Sequence, residues 1–181
     1  MKTNISVEEH GILDIFHKFN NGEEKHVISC ENMALSNGAA VLANAIGGRG
    51  GLSYLYVLFT NDETVTYPAI DKSTTLSTFT DGNQYIKVPV YLIGDTVITT
   101  DDTAGSGEIT GANIVIQGIT ANADGYIPGS KVYAAALAGT VNGTDILMCA
   151  TTIKDANSNN SFITKLANAQ IGINWKINIM L

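Results

Sequence analysis

The chain has 181 residues, which fits one domain whose hydrophobic core is large enough to need no disulfide or metal. Hydrophobic residues make up 45% of it and charged residues only 15%, and with its 18 glycines this composition is typical of β structure with polar turns. The formal net charge of −7 argues against a broad nucleic-acid surface, because phosphate binding relies on clustered positive charge.

The first predicted element is an amphipathic helix over residues 6–19. Ser6 and Glu9 stand in the order of a capping box, and the apolar residues that follow recur at helical spacing. Gly22 is expected to end this segment, since glycine accepts the left-handed conformation that terminates helices. The apolar residues of this helix are Ile12, Leu13, Ile15, Phe16 and Phe19.

A short strand over residues 25–30 and a second helix over residues 32–46 are predicted next. The glycine-rich residues 47–51 separate this helix from a very apolar strand. Phosphate-binding loops need the reverse order, with a strand before the glycines and a helix after them, so we interpret residues 47–51 as a helix stop and an elbow. Arg49 is either a solvated turn residue or a contact between subunits, since arginine is enriched at interfaces.

From residue 52 onward we predict strands separated by polar turns. The last strand is the clearest, because Trp175 and the isoleucines around it alternate with glycine or polar residues and so share one face. Pro89 within a predicted strand indicates an edge or a bulge, because proline cannot donate a ladder hydrogen bond. The predicted strands cover residues 53–60, 84–93, 96–99, 109–120, 131–137, 145–151 and 169–179.

The predicted fold class is therefore mainly β. We expect an antiparallel β-sandwich of a jelly-roll-like type, preceded by one or two N-terminal helices, and the predicted strands are enough for such a sandwich. The chain is divided into a helical docking part, residues 1–46, and a β-sandwich domain, residues 47–181.

The cysteines and the hydropathy pattern bear on the compartment. Cys30 and Cys149 are far apart and lack a Cys-x-x-Cys partner, so we predict two reduced, buried thiols. No apolar run resembles a signal peptide or approaches the about 18 residues of a membrane span. We expect the protein to be made and assembled in a cytoplasm, without a membrane partner.

Residues that could carry chemistry do not fall into a catalytic or metal-binding motif. His10 and His17 are seven residues apart rather than four, so these histidines and His26 are expected to face solvent or a partner. Loop carboxylates could bind calcium, but the EF-hand spacing is missing and solubilising turn residues are the favoured interpretation. We predict no catalytic residue, no cofactor and no metal. The carboxylates are Asp95, Asp101, Asp102, Glu108 and Asp124.

Two interpretations of the aromatic residues in the predicted strands stay open. They fit core packing, and they also fit a carbohydrate-binding platform, since tyrosines suit amphipathic contact surfaces. The polar segments over residues 61–83 and 99–108 have the freedom to bind a ligand. The aromatic residues are Tyr54, Tyr56, Phe59, Tyr85 and Tyr91.

Four segments in the second half of the chain follow one another in a recognisable order. They are ITGANIVIQGIT (109–120), KVYAAALAG (131–139), DILMCATTIKDA (145–156) and QIGINWKINI (170–179). The pattern depends on Gly118, Ile119, Thr120, residues 134–137, Trp175 and Ile177. This order resembles small β-sandwich virion proteins of tailed bacteriophages. The resemblance implies assembly in many copies around the head, collar or tail, without catalysis.

The resemblance leads to the hypothesis of a homo-oligomeric virion component that binds other virion proteins, such as capsid, portal or tail proteins. It is expected to be assembled in the host cytoplasm, to reside in the virion and to make no direct contact with nucleic acid. The predicted N-terminal helix would dock in a groove of its partner. The residues expected to dock are Ile12, Leu13, Phe16 and Phe19, with Arg49 as a further contact.

Two rival hypotheses come from other functional classes. The first is a carbohydrate- or receptor-binding module that contacts its ligand through the segments 61–83 and 99–108. The second is a hydrolase with a calcium-supported carboxylate site.

Overall fold

The computed structural model describes residues 10–49, 52–60, 65–92, 97–101, 108–119 and 129–180. These residues form a mainly β fold in which the paired strands are antiparallel. The elements are β1 (His10–Phe19), β2 (Glu24–Ala34), α1 (Gly38–Ile46), β3 (Leu52–Thr60), α2 (Leu76–Thr80), β4 (Gln84–Leu92), β5 (Val97–Asp101), β6 (Glu108–Ile119), β7 (Lys131–Val141), β8 (Thr144–Thr152), β9 (Ile163–Thr164) and β10 (Ala169–Met180).

The predicted N-terminal helix over residues 6–19 is wrong. Residues 10–19 form strand β1, whereas residues 6–9 lie outside the described part of the chain. β1 lies between β10 and β2, and Leu13 is the register partner of both Trp175 and Cys30. Two neighbouring strands bond the backbone of β1, and the side chains of Leu13, Ile15 and Phe16 are buried, so tertiary structure outweighs the local helical spacing.

The second predicted helix is confirmed in its C-terminal part only. The predicted strand over residues 25–30 is confirmed but continues to Ala34, and α1 begins at Gly38. A Cβ on Gly38 would lie 2.8 Å from the backbone oxygen of Met148, so glycine allows α1 to approach β8. The predicted helix stop is confirmed as well, since α1 ends at Ile46 and Gly48 has φ +67°.

The strands predicted beyond residue 52 coincide with observed strands. β3, β4, β5, β6, β7, β8 and β10 overlap the seven predicted ranges, and β7 continues past residue 137 to Val141. In β10 the side chains of Ile171, Ile173, Trp175 and Ile177 are buried, which confirms the predicted core face over those residues.

The hydrogen-bonded sheet curls until it closes on itself. The strand order runs β10-β1-β2-β8-β7-β3-β4-β6, and β6 in turn pairs with β10. Pro89 predicts an edge or a bulge in β4. Among the described residues, 84–89 pair with β3 alone and 90–92 pair with β6, so up to Pro89 β4 pairs with a strand on one side only, and it changes its partner there. Proline has no N–H to donate to a ladder, and it is tolerated at this position because β4 passes from one partner strand to the other there.

Both faces of the sheet are buried around β3 and β7. One core cluster contains Leu55 and Val57 together with Trp175, and a second cluster contains Tyr56 and Leu58 together with Phe79 of α2. Side chains on β7 are buried without interruption from residue 132 to residue 138. The alanines at alternate positions of β7 leave room for the second cluster. Because both faces of β7 are buried, apolar and polar residues do not alternate along its sequence. These alanines are Ala134, Ala136 and Ala138.

Candidate functional site

A group of tyrosines surrounds a lysine on the face of β3 and β4 that carries the second core cluster. The register places Tyr54 beside Pro89 and Tyr56 beside Lys87. The Lys87 ammonium lies 5.2 Å from the ring centroid of Tyr54 and 5.6 Å from that of Tyr56. Tyr85 completes the group, with its ring centroid 5.7 Å from that of Tyr56. We call these four residues, with Thr140 and Asp145, the tyrosine–lysine surface.

Asp145 holds this surface together from the start of β8. Its Oδ2 accepts hydrogen bonds from Lys87 Nζ at 2.8 Å and from the Tyr56 hydroxyl, and its Oδ1 accepts one from Thr140 Oγ1 at 3.2 Å. Small side chains on β7 let Asp145 reach across that strand, since the neighbours of Tyr54 and Tyr56 there are alanines. The carboxylate therefore fixes groups from three strands.

The electrostatics of the tyrosine–lysine surface favour a stable ion pair. The hydrogen bonds from Lys87 and then Tyr56 lower the pKa of Asp145, and the bond to Asp145 raises the pKa of Lys87. Burial, followed by the bond to Asp145, raises the pKa of Tyr56. At neutral pH the phenol is protonated, the lysine is charged and the carboxylate is ionised. Such a set suits contact with a partner better than proton transfer, which needs pKa values near the working pH.

A second polar network lies on β1, β2 and β10. Ser29 Oγ donates to Asp14 Oδ1 at 2.6 Å, His26 Nε2 lies 3.0 Å from Ser29 Oγ, and Lys176 Nζ lies 2.6 Å from Asp14 Oδ2. Burial alone would raise the pKa of Asp14, but the bonds from Lys176 and Ser29 outweigh it and lower that pKa. Ser29 donates its proton to Asp14, which is a weakly basic carboxylate. His26 does not lie between Ser29 and Asp14, so it is not placed to act as a general base. The network thus stabilises the sheet surface without activating Ser29.

The predicted docking residues do not share one exposed face. Leu13 and Phe16 are buried within the protein and Phe19 is half-buried, whereas Ile12 is 42% exposed. Because residues 10–19 form a strand, they do not form the helix face that was expected to dock, and their docking stays a prediction. Arg49 is exposed, and its backbone oxygen accepts a hydrogen bond from Asn44 Nδ2 at 3.0 Å. Its role between subunits stays a prediction.

The aromatic residues divide between the two interpretations left open by the sequence. Tyr56 and Phe59 are buried and pack in the core, while Tyr85 is 40% exposed and Tyr54 is half-buried. The side chain of Tyr91 lies outside the described residues. The exposed part of this set therefore coincides with the tyrosine–lysine surface.

The cysteine prediction is confirmed, since Cys30 and Cys149 are both buried thiols that do not form a disulfide. Burial raises the pKa of the Cys30 thiol, which keeps it protonated and unreactive. Of the loop carboxylates, Asp95, Asp102 and Asp124 lie outside the described residues, as do the side chains of Asp101 and Glu108. In the part of the chain that the structure describes, no three histidine, cysteine or carboxylate side chains form a group that could hold a metal ion.

His17 is one of the three histidines expected to face solvent or a partner. It is half-buried, and its Nε2 has no hydrogen-bond partner among the described residues. Burial lowers the pKa of His17, and the charges of Lys165 and Lys25 lower it further, although a bond with the backbone of Thr164 opposes them. His26 is exposed, and the side chain of His10 is not described.

His17 should make the protein less stable as the pH falls. The folded state favours the neutral imidazole, so its pKa lies below the unfolded value of 6.5 and the unfolded chain binds the proton first. The free energy of unfolding should therefore decrease between about pH 7 and pH 5, and less steeply in His17→Gln. Urea unfolding at several pH values measures this slope, with His26→Gln as the control for loss of an exposed imidazole. Equal slopes in the wild type and His17→Gln would contradict the expectation.

Sequence reasoning singled out the tyrosines but missed Lys87 and Asp145. The alternation in QYIKVPVYL places Lys87 on the same side of the strand as Tyr85, which is a usable signal. Asp145 had no such signal, because its contact with Tyr56 depends on how β3, β7 and β8 are paired.

Comparison with known proteins gives no relatives: no family, no curated protein and no solved structure matches the chain. None of the helices in the described part of the chain has the length and apolar composition that crossing a membrane requires.

Proposed function

We propose that the chain is a non-enzymatic structural protein of a tailed-bacteriophage virion. It is a homo-oligomer, associated with the head, collar or tail, that binds other virion proteins, and its curled sheet is arranged as a jelly-roll-like β-sandwich. The class comes from the resemblance in residues 109–179. The observation that carries the binding role is the tyrosine–lysine surface, on which Tyr85 and Lys87 are exposed beside the half-buried Tyr54.

The tyrosine–lysine surface has the properties of a contact area. Tyr85 is 40% exposed, and Lys87 also reaches solvent. Tyrosine is enriched at protein interfaces, where it supplies area with little loss of side-chain freedom. The bonds of Asp145 to Tyr56 and Lys87 already hold these side chains in place, so a partner orders little on binding.

The residues that carry the resemblance lie mostly inside the fold, which supports their role as structural determinants. Trp175 and Ile177 are buried on β10, and the alanines at 134–136 are buried on β7. A Cβ on Gly118 would lie 3.1 Å from Leu55 Cδ2, so the glycine of the Gly-Ile-Thr segment fits a tight position in the core. Partner binding then belongs to exposed surfaces, and we assign it to the tyrosine–lysine surface in place of a helix over residues 6–19.

Self-association is tested by mass photometry of the purified chain. We expect a discrete oligomer whose apparent dissociation constant rises about tenfold or more in Tyr85→Ala, the loss typical of a central aromatic contact. Phe162→Ala is the matched control, because Phe162 is 43% exposed and also has a lysine over its ring, with Lys131 Nζ 4.9 Å from the centroid. Phe162 lies beside Lys131 at the start of β7, whereas Thr140 lies near the end of that strand, about 30 Å away.

A wild-type chain that stays monomeric at every concentration would contradict the homo-oligomer. The virion assignment has its own test, which is mass spectrometry of purified particles of the phage that carries the gene. We expect the chain in intact particles at a fixed copy number. Its presence only in the soluble fraction of infected cells would refute a structural role in the virion.

A further inference from the structure

A cleft of about 440 Å³ opens where the ladder between β2 and β8 ends. These strands pair only at Met33 with Ala150 and at Ala34 with Cys149. Beyond that point the Thr151 hydroxyl donates to the backbone oxygen of Glu31 at 2.6 Å. The segment that contains Tyr67 also lines the cleft, and the volume lies in the range of about 300–1,000 Å³ that is usual for small-molecule sites. We call this space the β2–β8 cleft.

The lining of the β2–β8 cleft combines an apolar part with a polar part. Met33, Tyr67 and Pro68 contribute apolar surface, and Tyr67 and Pro68 come from the segment 61–83 that the sequence marked as free to bind a ligand. Thr152 and Asn160 contribute polar groups to the same cleft. A ligand that fits this lining has an apolar face and several hydrogen-bonding groups.

The Tyr67 ring is fixed before any ligand arrives. Its hydroxyl donates to the backbone oxygen of Ser161 at 2.9 Å, and its ring packs edge-on against Tyr133, with centroids 5.6 Å apart and planes at 70°. A ring held in this way loses little conformational freedom on binding, which favours its use as a stacking platform.

The polar groups suit hydroxyls rather than a charged ligand. Lys154 Nζ donates to Asn160 Oδ1, which orients the amide while the lysine keeps further N–H donors, and Glu31 supplies an acceptor. Hydroxyl groups both donate and accept, so they can use all of these partners. One ammonium and one carboxylate cancel in charge, and phosphate or polyanion binding would need an excess of cations.

We propose that the β2–β8 cleft binds a short neutral oligosaccharide, whose C–H face packs on Tyr67 and whose hydroxyls bond to Glu31, Lys154 and Asn160. This site is separate from the tyrosine–lysine surface and does not depend on the proposed assembly role.

The probe is a glycan array that carries neutral di-, tri- and tetrasaccharides beside sialylated and sulfated glycans, followed by calorimetric titration of the best neutral binder. We expect neutral glycans to bind, Tyr67→Ala to weaken binding about tenfold or more, and Tyr67→Phe to retain most of it, since the ring remains. Asn160→Ala should weaken binding several-fold through the loss of one polar partner. Phe162→Ala removes an exposed aromatic outside the cleft and should change nothing.

Thermal unfolding establishes that each variant is folded. If Tyr67→Ala does not fold, Asn160→Ala decides the matter, because Asn160 is exposed and its loss leaves the core intact. Failure of every neutral glycan to bind, binding of anionic glycans alone, or binding that both Tyr67→Ala and Asn160→Ala leave unchanged would each overturn the proposal.

Discussion

Replacement of Trp175 by alanine is expected to lower the free energy of unfolding by about 3–5 kcal/mol. The indole is 1% exposed and lies at the centre of β10, where Leu13 of β1 and Ile116 of β6 are its register partners. Alanine would leave a cavity in the core cluster that Trp175 shares with Leu13, Leu55 and Val57, and the surrounding side chains relax into such a cavity only in part. Urea unfolding followed by circular dichroism measures the loss, because Trp175 is the single tryptophan and its fluorescence disappears in the variant.

Trp175→Phe separates ring packing from the indole N–H. Trp175 Nε1 is buried without a hydrogen-bond partner among the described residues. Phenylalanine keeps a large ring and removes this unsatisfied donor, so its cost should be about 1–2 kcal/mol, well below that of alanine. Equal losses of unfolding free energy in Trp175→Ala and Trp175→Phe would contradict this expectation, because the cavity left by the ring would then not be the main cause of the loss.

The strands in the second half of the chain could be predicted because their signals are local. In β10 the alternation of Ile171, Ile173, Trp175 and Ile177 reports one buried face directly. β7 could be predicted for another reason, since an unbroken apolar run between turn residues is typical of a strand buried on both faces.

The N-terminal strand could not be predicted, because apolar residues on both of its faces hide the two-residue period. Leu13 and Ile15 are buried in the core cluster that contains Trp175, and Phe16, the next residue, is buried as well. A register shift between Ile15 and Phe16 in the pairing with β2 disturbs the pattern further. Apolar residues at positions 12, 13, 15, 16 and 19 then fit a helical stripe equally well, and only the pairing with β10 and β2 decides between them.

The candidate site was predictable in part. Tyr54, Tyr56 and Tyr85 were identified as a possible platform, because their residue type and strand position are visible in the sequence. Asp145 and the β2–β8 cleft could not be predicted. The contacts of Asp145 depend on the register across β7, and the cleft depends on the point at which β2 and β8 separate. Such features arise from pairs of residues far apart in the chain.

Gly172→Ala should destabilise the protein by about 1–3 kcal/mol, because there is no space for the added methyl group. Gly172 is the register partner of Phe16, and a Cβ at this position would lie 2.2 Å from Phe16 Cε2. Phe16 is itself buried, so its ring cannot swing into solvent to relieve the overlap without losing its own packing. The steric clash, rather than a backbone conformation reserved for glycine, is the expected cause. Urea unfolding of the variant measures the loss.

A double-mutant cycle tests that cause. In the background of Phe16→Ala, which is destabilised by its own cavity, Gly172→Ala should cost little or even stabilise, since the methyl group then occupies vacated space. Gly118→Ala is the matched single variant: its Cβ would meet Leu55 Cδ2 at 3.1 Å, a milder overlap that should cost less than Gly172→Ala. If Gly172→Ala is equally harmful with and without the Phe16 ring, the ring is not what excludes a side chain there, and the close packing between β1 and β10 must have another origin.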